Sequence, residues 1–547
     1  MPITHSILTT AANHPGRPAI VGEHARLSYG ELAEDGRRVI AAARRLLAQA
    51  PNLPTPAPET QGAPVIAVSS TSAFEAARIM AGLAGYRAVS ATIDPRWPVD
   101  HQRHVIAEVG IGLVIVDDDQ ADARLRSALG PDWGGVVVPA QRFREIEAQV
   151  QPAEPPQVRD ADEPYLMLFS SGTTSSPKAF LKTRGQYRAN FAVSSSYLEP
   201  LPGVATLAPG AFAYSLTLYA AVECLASGGE VHLADELSLP GLGKRVAQQR
   251  ITRIVTVPAV LRGIIAQATR GPKHFAGLEL IVVGGANLPN ELRKDLAEVL
   301  PHVRLISYYG AAEIGFIGDA RGEDSTWNQI YDGIQVEIRD DEGNTVPDGE
   351  IGTLWVLAES RSDDYIAGTA DVHLLDERGW ATVEDQGRIA VVDGKRQLQL
   401  LGRKGDIINV GGHKVALPEV TRAYAGLTVG GQHREAVAVG VPDTALGTAV
   451  ALVVEVGDLV PADSGDGVWP DSQEKSGSLE QNESVPVLPE ELSKASLREH
   501  GRKHLAPQFV PSKYYVVEAL PRTVGGKVRA TETVGLIETG GKGVVRL

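Results

Sequence analysis

The sequence predicts an α/β protein with largely parallel sheets, made of more than one part. Short apolar runs at residues 65–69, 113–116, 254–257 and 280–283 alternate with segments of helical periodicity such as residues 74–83. This alternation is typical of parallel strands connected by helices. Because a chain of 547 residues is longer than one hydrophobic core usually supports, we expect two large parts.

The first three quarters of the chain contain most of this pattern. Residues 27–47 (LSYGELAEDGRRVIAAARRLL) predict a strand edge followed by an amphipathic helix. The Pro-rich residues 51–64 predict a solvated loop. From Gly333 the segment GIQVEIRDDEGNTVPDGEIGTLWV alternates apolar and polar residues around Asp-Gly and Glu-Gly turns, which predicts a small β-rich part.

The C-terminal part has a different texture. From Gly402 the sequence is a compact mixture of helical and strand segments that continues to the last residue. Within it, residues 457–490 are rich in Ser, Asp, Glu, Gly and Pro and hold few apolar residues, so we expect a flexible insertion. We therefore predict a large domain at residues 1–402 and a small α+β domain at residues 403–547.

Charge, cysteine content and the lengths of the apolar stretches bear on the protein's partners and its location. The chain holds 52 Lys and Arg against 67 Asp and Glu, a net charge of −15, which argues against nucleic acid as a partner. The single cysteine, Cys224, lies in the apolar run AAVECLAS and is expected to be a buried core thiol. We expect a cytoplasmic protein with no membrane span, because no stretch approaches the roughly 20 apolar residues of a spanning helix and no secretory signal is visible.

The strongest local signal for chemistry is SSGTTSSPK at residues 170–178, which follows the apolar YLMLF. Small hydroxyl residues and a glycine leave backbone amides and hydroxyls free to surround phosphate oxygens, and a lysine adds positive charge. The ending of a Walker loop is missing, and Pro177 followed by AFLKT predicts strand, loop, strand. The candidate phosphate-binding residues are Ser170, Ser171, Gly172, Thr173, Thr174 and Lys178.

This segment resembles the phosphate loop of the adenylate-forming superfamily, which comprises acyl- and aryl-CoA ligases, luciferases and the adenylation domains of peptide synthetases. Eight of its nine positions agree with the family pattern S-S/T-G-T-T-G-x-P-K, and Ser175 replaces a glycine. Further resemblances follow in the family's order along nearly the whole chain, in LSYGEL, ATIDPRWP, VGGA, YGAAE, GWATVEDQG, GRKGDIINVGGHKVALPE and LPRTVGGK. Each match alone is weak, so the family assignment rests on their order.

The resemblance implies a nucleotide and metal site. The VGGA segment would lie along the adenine and the acyl pocket, where glycine admits a flat ligand. In YGAAE the aromatic residue would stack near adenine, and the glutamate would hold Mg²⁺ by a hard oxygen contact. The aspartate of GWATVEDQG would accept both ribose hydroxyls, and the arginine of GRKGD would reach the ribose or a phosphate. The residues so implied are Gly284, Gly285, Ala286, Tyr309, Gly310, Glu313, Asp385 and Arg403.

The resemblance also implies a small mobile C-terminal domain. Lys527, the last residue of LPRTVGGK, would stabilise the charge that builds on the acyl phosphate during adenylation. The domain would then rotate about Gly405, where a glycine tolerates large φ and ψ changes, and Lys527 would leave the site. A thiol tunnel would form beside the pantetheine from Gly411, Gly412 and Lys414. The implied cofactors are ATP, Mg²⁺ and coenzyme A or phosphopantetheine.

The substrate is the part that the sequence constrains least. In peptide-synthetase domains for α-amino acids an F-D-x-S segment supplies an aspartate for the substrate ammonium, and here the segment is FAYS with Ala213 in that position. We therefore expect a small carboxylic acid without a free α-ammonium, more aryl or apolar than acetate, although a β-amino acid stays open. The candidate pocket residues are Phe212, Ala213, Tyr214, Tyr308 and Phe316.

Two alternatives accompany the leading hypothesis of a coenzyme A ligase. A stand-alone adenylation enzyme that loads a separate carrier protein would use the same motifs, because both acceptors present a pantetheine thiol. A catalytically impaired ligand-binding homologue is suggested by four departures from the family pattern, Ser175, Ala312, Val383 and Glu384. Retention of the metal-binding glutamate, the ribose aspartate, the arginine and the C-terminal lysine opposes this second alternative.

Overall fold

The computed structural model of the chain describes residues 2–170, 177–236, 239–286, 288–321, 326–392, 394–410, 413–443, 447–457, 492–505, 509–522, 528–541 and 543–547. Several residues singled out above lie outside this part: Ser171, Gly172, Thr173, Thr174, Ser175, Gly411, Gly412, Lys527 and residues 458–490 of the expected insertion. Lys414 is described by its backbone alone.

Helices and strands alternate along the first half of the chain, as the apolar runs predict. The helices are α1 (Pro2–Asn13), α2 (Tyr29–Gln49), α3 (Ala73–Leu83), α4 (Val99–Val109), α5 (Asp119–Leu129), α6 (Ala140–Gln149), α7 (Arg184–Tyr197), α8 (Ser215–Ser227), α9 (Leu239–Gln248), α10 (Pro258–Arg270), α11 (Asn290–Val299), α12 (Leu417–Ala423), α13 (Lys494–His504) and α14 (Ala530–Glu538). Short 3₁₀ turns lie at Pro58–Thr60, Pro272–Phe275 and Lys404–Asp406.

The strands become the more frequent element after α11. They are β1 (Pro18–Val21), β2 (Arg26–Ser28), β3 (Val65–Ser69), β4 (Val89–Thr92), β5 (Leu113–Val116), β6 (Val136–Pro139), β7 (Pro164–Ser170), β8 (Lys178–Thr183), β9 (Ala205–Ala208), β10 (Glu230–Leu233), β11 (Arg253–Thr256), β12 (Leu280–Val283), β13 (Arg304–Ala311), β14 (Gly315–Ala320), β15 (Trp327–Ile330), β16 (Gln335–Arg339), β17 (Gly352–Leu357), β18 (Asp385–Val392), β19 (Lys395–Arg403), β20 (Ile407–Val410), β21 (His413–Ala416), β22 (Thr428–Val429), β23 (Gln432–His433), β24 (Ala436–Asp443), β25 (Gly447–Glu455), β26 (Lys513–Val517) and β27 (Val544–Arg546).

The contacts divide the chain into two compact units. The first unit comprises Met1–Glu337, Trp355–Val383 and Val391–Leu398, and the second comprises Ile338–Leu354, Glu384–Ala390 and Gln399–Leu547. The second unit thus gathers two segments that precede residue 402. The boundary expected between residues 402 and 403 remains a prediction about where the chain pivots.

Two sheets with parallel cores form the frame of the first unit. One has the strand order β6-β5-β3-β4-β7-β8 and is parallel except at the β7–β8 pair. The other contains the run β15-β14-β13-β12-β11-β9-β10-β1-β2, which is parallel from β13 to β1. Strands β3, β5 and β12 are buried along their whole length, because helices cover both faces of a parallel sheet. The predicted α/β class is confirmed.

The LSYGEL motif has a structural explanation at the start of α2. Ser28 is the N-cap, and its hydroxyl oxygen accepts a hydrogen bond from the Glu31 amide. The Glu31 carboxylate accepts one from the Ser28 amide at 2.8 Å, which completes a capping box. Tyr29 is buried and its hydroxyl donates to the Gly229 carbonyl at 2.7 Å. The motif therefore fixes where this helix begins and how it docks.

The prediction of a solvated loop at residues 51–64 is wrong for part of the segment. Ala57, Thr60 and Ala63 are buried, Ala57 and Ala63 within a core cluster, and the Ala57 amide donates to the Val109 carbonyl at 2.9 Å. The cause is close backbone approach at the end of α4, where any Cβ at Gly110 would collide with the preceding loop. Proline content marked an irregular segment correctly, but it carried no information about packing.

The second unit is an α+β fold around the sheet β24-β25-β26-β27. Strand β25 separates two core clusters by the two-residue period of a strand: Leu452 and Val454 face α12 and α13, whereas Ala451 and Val453 face α14. Strands β20 and β21 form an antiparallel hairpin that precedes α12. Across the described residues of both units, no helix has the length and apolarity that crossing a membrane requires.

Candidate active site

The two ends of the predicted phosphate loop lie side by side. Strands β7 and β8 pair in antiparallel fashion, with Ser170 opposite Lys178. The expectation of strand, loop, strand is therefore confirmed for the flanking residues, and both end residues are half-buried. The loop residues between them lie outside the described part, so their role as phosphate ligands remains a prediction.

The glutamate of YGAAE lies in the tight turn between β13 and β14. Glu313 is 7% exposed, and its carboxylate accepts a hydrogen bond from the Tyr365 hydroxyl at 3.3 Å. Lys178 contacts the same tyrosine through its ring, with Nζ 5.1 Å from the ring centroid. Two residues that are 135 positions apart in the chain, Lys178 and Glu313, therefore contact one tyrosine side chain, Lys178 at the ring face and Glu313 at the hydroxyl.

A second lysine forms hydrogen bonds with the backbone of the turn that carries Glu313. Lys182, on β8, is 2% exposed, and its Nζ donates to the Glu313 carbonyl at 2.7 Å and to the Ser360 carbonyl at 2.6 Å. Burial lowers the pKa of Lys182 to about 7, and the carboxylates of Glu313 and Asp363 only partly oppose this effect. The two donated hydrogen bonds are within the capacity of a neutral amine, so the site does not require the charged form.

The VGGA segment passes against the aromatic residues of β13. A Cβ on Gly284 would overlap the Tyr308 ring and lie 2.6 Å from its hydroxyl oxygen, so only glycine permits this contact. Tyr308 in turn contacts Phe316 edge to face, with ring centroids 4.9 Å apart. Beside them Gly285 has φ +79° and is exposed, and its backbone lies next to Leu216 at the start of α8. Two of the predicted pocket residues, Tyr308 and Phe316, are therefore adjacent.

The FAYS segment leads into α8, and its two aromatic residues differ in burial: one lies in the core and the other at the surface. Phe212 is 3% exposed and belongs to the main core cluster, whereas Tyr214 is 48% exposed. The guanidinium of Arg96 lies 5.5 Å from the Tyr214 ring centroid and is held by Asp94, at 2.7 Å from Nη2 to Oδ2. Ala213, between the two aromatic residues, is half-buried and offers no charge.

In the second unit the predicted ribose and phosphate residues face each other. Asp385 begins β18 and Arg403 ends β19, with 3.6 Å between Arg403 Nε and Asp385 Oδ1. Glu384, where the family pattern has glycine, adopts φ +64°. A glutamate in this left-handed conformation is strained, which explains why the family prefers glycine there. The expected pivot residue Gly405 lies exposed in a 3₁₀ turn, with open space around its Cα.

These residues fit the nucleotide and the Mg²⁺ that the resemblance implies. Among the described residues Glu313 has no basic partner, so its nearly buried negative charge is left for a hard cation. The described part of the chain contains no group of three acidic, histidine or cysteine ligands close enough to enclose a metal. Mg²⁺ commonly uses one or two carboxylates together with phosphate oxygens and water, and a single glutamate suits that mode.

The motif matches missed three residues around these groups. Tyr365, Lys182 and Arg96 each contact a predicted site residue, yet none was singled out from the sequence. For Lys182 a signal existed, because a lysine inside the apolar run AFLKT on a buried strand is unusual. Tyr365 and Arg96 had no local signal, since only the folded chain brings them to Glu313 and Tyr214.

Comparison with known proteins gives a consistent result. The sequence model of the AMP-binding enzyme family matches residues 7–362. Among curated proteins, the uncharacterized acyl-CoA ligase YhfT of Bacillus subtilis is 25% identical over 533 residues, which is 96% of this chain and 97% of that protein.

Solved structures share the fold over the whole length. ATP-bound MatB from Rhodopseudomonas palustris superposes with a TM-score of 0.78 at 18% identity and covers 98% of each chain. The amide bond synthetase McbA from Marinactinospora thermotolerans superposes with a TM-score of 0.76 at 23% identity, covering 98% of this chain and 99% of that one. At these identities the likeness is one of fold.

Proposed function

The chain belongs to the AMP-binding enzyme family and is an adenylate-forming ligase, and on that premise we propose that it activates a carboxylic acid with ATP and transfers the acyl group to coenzyme A. One observation carries the proposal. Lys178, at the end of the phosphate loop, and Glu313, the metal-binding candidate, both contact the Tyr365 side chain, one at the ring face and the other at the hydroxyl. A cation for phosphate and an anion for metal are thereby available at one place.

The chemical need explains these residue types. A carboxylate is a poor acyl donor, because oxide would have to leave. Its oxygen attacks the α-phosphorus of ATP, the bond to the bridging oxygen of the β-phosphate breaks, and pyrophosphate leaves. The sulfur of a thiol then attacks the acyl carbon, AMP leaves with the electron pair of the carbon–oxygen bond of the mixed anhydride, and the thiol loses its proton. The first step concentrates negative charge on phosphate oxygens, so catalysis depends on positioning and on fixed positive charge.

Each candidate residue has a defined task in this proposal. Lys178 and the loop after Ser170 bind phosphate oxygens, while Glu313 would hold Mg²⁺, which neutralises phosphate charge when bound. Gly284 and Tyr308 form a flat wall for the adenine and the acyl group, and Asp385 accepts the ribose hydroxyls. Lys527 supplies positive charge during adenylation, in a role taken from the family resemblance. The domain division near residue 402 serves the exchange between the two steps.

The acid is proposed to lack an α-ammonium. Ala213 provides no carboxylate for one, and the charged group in contact with the exposed Tyr214 ring is the guanidinium of Arg96, a cation. A second cation brought to that ring would be repelled rather than paired. Aromatic or medium-length apolar acids match the exposed Tyr214 ring and the paired rings of Tyr308 and Phe316.

Pyrophosphate release across a panel of acids tests this proposal. Benzoate-type acids, medium-chain acids, β-amino acids and common α-amino acids are each assayed with ATP and Mg²⁺, with no acceptor, with coenzyme A and with a phosphopantetheinylated carrier protein. An amine arm is included, because one structural neighbour is an amide bond synthetase. Thioester formation with coenzyme A supports the proposal. Exclusive transfer to the carrier supports the loading alternative, and activity only with α-amino acids refutes the substrate assignment.

The two half-reactions can be separated at Lys527. We expect Lys527→Ala to lower adenylation by about 100-fold or more, because the variant loses positive charge aimed at the developing phosphate charge. Thioester formation from chemically supplied acyl-adenylate should stay within a few-fold of wild type. Equal loss of both steps would contradict alternation of the C-terminal domain, and normal adenylation would remove Lys527 from the site.

A further inference from the structure

Tyr365 lies in a segment that the family motifs did not select, yet it contacts two candidate site residues at once. Its hydroxyl donates to Glu313 Oε1 at 3.3 Å, and its ring receives Lys178 Nζ at 5.1 Å from the centroid. Phe180 packs edge to face against the same ring, with centroids 6.3 Å apart. The tyrosine side chain therefore contacts Lys178 and Phe180 through its ring and Glu313 through its hydroxyl.

Backbone contacts hold this ring in a fixed place. Tyr365 forms an isolated antiparallel bridge with Phe180, and the Ile366 amide donates to the Ala179 carbonyl at 2.7 Å. On the other side the Ser362 amide donates to the Glu313 carbonyl at 2.8 Å. The segment around Tyr365 is therefore attached both to the strand that follows the phosphate loop and to the turn that carries the glutamate.

The contacts of Tyr365 bear on whether Lys178 and Glu313 form an ion pair with each other. A lysine and a glutamate that can reach each other in a partly buried place attract strongly and form an ion pair. Such a pair would neutralise both groups before ligands arrive. Lys178 and Glu313 form no ion pair with each other: Lys178 interacts with the π face of Tyr365 and Glu313 with its hydroxyl, so both charges are partly stabilised without being joined.

We propose that Tyr365 is a positioning residue that keeps the phosphate-loop lysine and the metal-binding glutamate apart and aimed at their separate ligands. The inference rests on the proposed function, because it takes phosphate as the ligand of Lys178 and Mg²⁺ as the ligand of Glu313. The inference adds Tyr365 to the proposed site and gives separate roles to the two parts of its side chain. The hydroxyl orients the metal-binding glutamate, and the ring holds the lysine.

The two parts of the side chain can be removed one at a time. Tyr365→Phe keeps the ring under Lys178 and loses the hydrogen bond to Glu313, whereas Tyr365→Leu loses both. ATP binding is measured by calorimetry without any acid, so that no turnover occurs, in EDTA and over a series of Mg²⁺ concentrations. Tyr197→Phe is the matched control, because Tyr197 also donates to a carboxylate, Asp332 Oδ2 at 2.8 Å, away from these residues.

We expect Tyr365→Phe to raise the Mg²⁺ concentration for half-maximal enhancement of ATP binding by about three- to tenfold, the loss of one hydrogen bond to a charged group. Its ATP affinity in EDTA should stay within twofold of wild type. Tyr365→Leu should show the same Mg²⁺ effect and, in addition, bind ATP about fivefold more weakly in EDTA, because the lysine is released toward the glutamate. The Tyr197→Phe control should change neither quantity.

Three results would overturn the inference. In the first, Tyr365→Phe has the wild-type Mg²⁺ dependence. In the second, both variants weaken ATP binding equally in EDTA and in Mg²⁺, as a purely structural role requires. In the third, the wild-type chain binds no ATP, which also refutes the proposed function. Wild-type ATP binding with the expected shifts, but without pyrophosphate release for any acid, would refute the proposed function alone.

Discussion

The first unit treats buried charge in two different ways. At Arg78, on α3, the guanidinium has no exposed surface and lies within 3.0 Å of three carboxylates, those of Asp35, Glu75 and Glu147. At Lys182, on β8, a side-chain amine that is 2% exposed contacts two backbone carbonyl oxygens, and no carboxylate of a described residue forms an ion pair with it.

This difference in charge pairing distinguishes the residues that hold helices together from the residues near the candidate active site. Helices α2, α3 and α6 are joined by the Arg78 cluster, where complete pairing offsets the desolvation of each charge. Among the described residues, Glu313 and Lys178 take part in no ion pair, which costs stability but keeps their charges available to ligands. The paired charges of the Arg78 cluster and the residues proposed to act on the substrates are therefore different groups of side chains.

The largest expected effect is at the scaffold cluster. Arg78→Met would remove the buried cation that pairs with one buried and two partly buried carboxylates and leave only the partly exposed Arg144 beside them, and we expect the free energy of unfolding to fall by about 3–5 kcal/mol. Urea denaturation measures this loss. The matched control is Arg44→Met, which breaks an exposed pair with Glu154 and should cost about 1 kcal/mol or less. Equal losses in both variants would mean that the pairing at Arg78 carries no special weight.

The opposite behaviour is expected at Lys182. Its pKa is about 7 in the folded protein and 10.5 ordinarily, so between these values the unfolded chain binds more protons than the folded chain. The contribution of Lys182 to stability therefore rises as the pH rises from about 7 to 10.5, by at most about 1.4 kcal/mol per pH unit. Below pH 7 the full cost of burying the charge is present.

A difference measurement isolates this group. Wild type and Lys182→Met are unfolded in urea between pH 6 and pH 10, and their difference in unfolding free energy is plotted against pH. We expect wild type to gain a few kcal/mol relative to the variant over this range. Lys503→Met, at an exposed lysine paired with Glu499, serves as the control and should give a flat difference. A flat curve for Lys182→Met would mean that the buried amine keeps its ordinary pKa.

The smallest expected effect concerns backbone strain beside Asp385. Because Glu384 has φ +64°, Glu384→Gly should raise the free energy of unfolding by about 1 kcal/mol or less, seen as a small increase in Tm. Glu199→Gly is a useful comparison, since Glu199 also has a positive φ of 57° but pairs with Arg304 at 2.6 Å. Destabilisation by Glu384→Gly would show that the side chain contributes more than the strain removes.

Much of the scaffold could be predicted because its signals are local. The apolar runs of β3, β5 and β12 and the helical periodicity of residues 27–47, which form β2 and α2, predicted the α/β class. The strand ends at Ser170 and Lys178 followed from proline and apolar residues around the loop. The burial of Ala57, Thr60 and Ala63 within residues 51–64 was missed, since it accompanies a close backbone approach to Gly110, about 50 positions away.

The sequence by itself determined the family, the order of the motifs and the residue types that the chemistry needs. It did so because those residues are contiguous in short segments, where a turn or a phosphate loop is specified by its own neighbours. Only the tertiary structure decided which side chains from other segments contact the motif residues. Tyr365 reaches Glu313 across 52 positions of chain and Lys182 reaches it across 131, through strand pairing and a tight turn. Contacts of that separation depend on how sheets and connecting segments pack, which no local pattern of residues encodes.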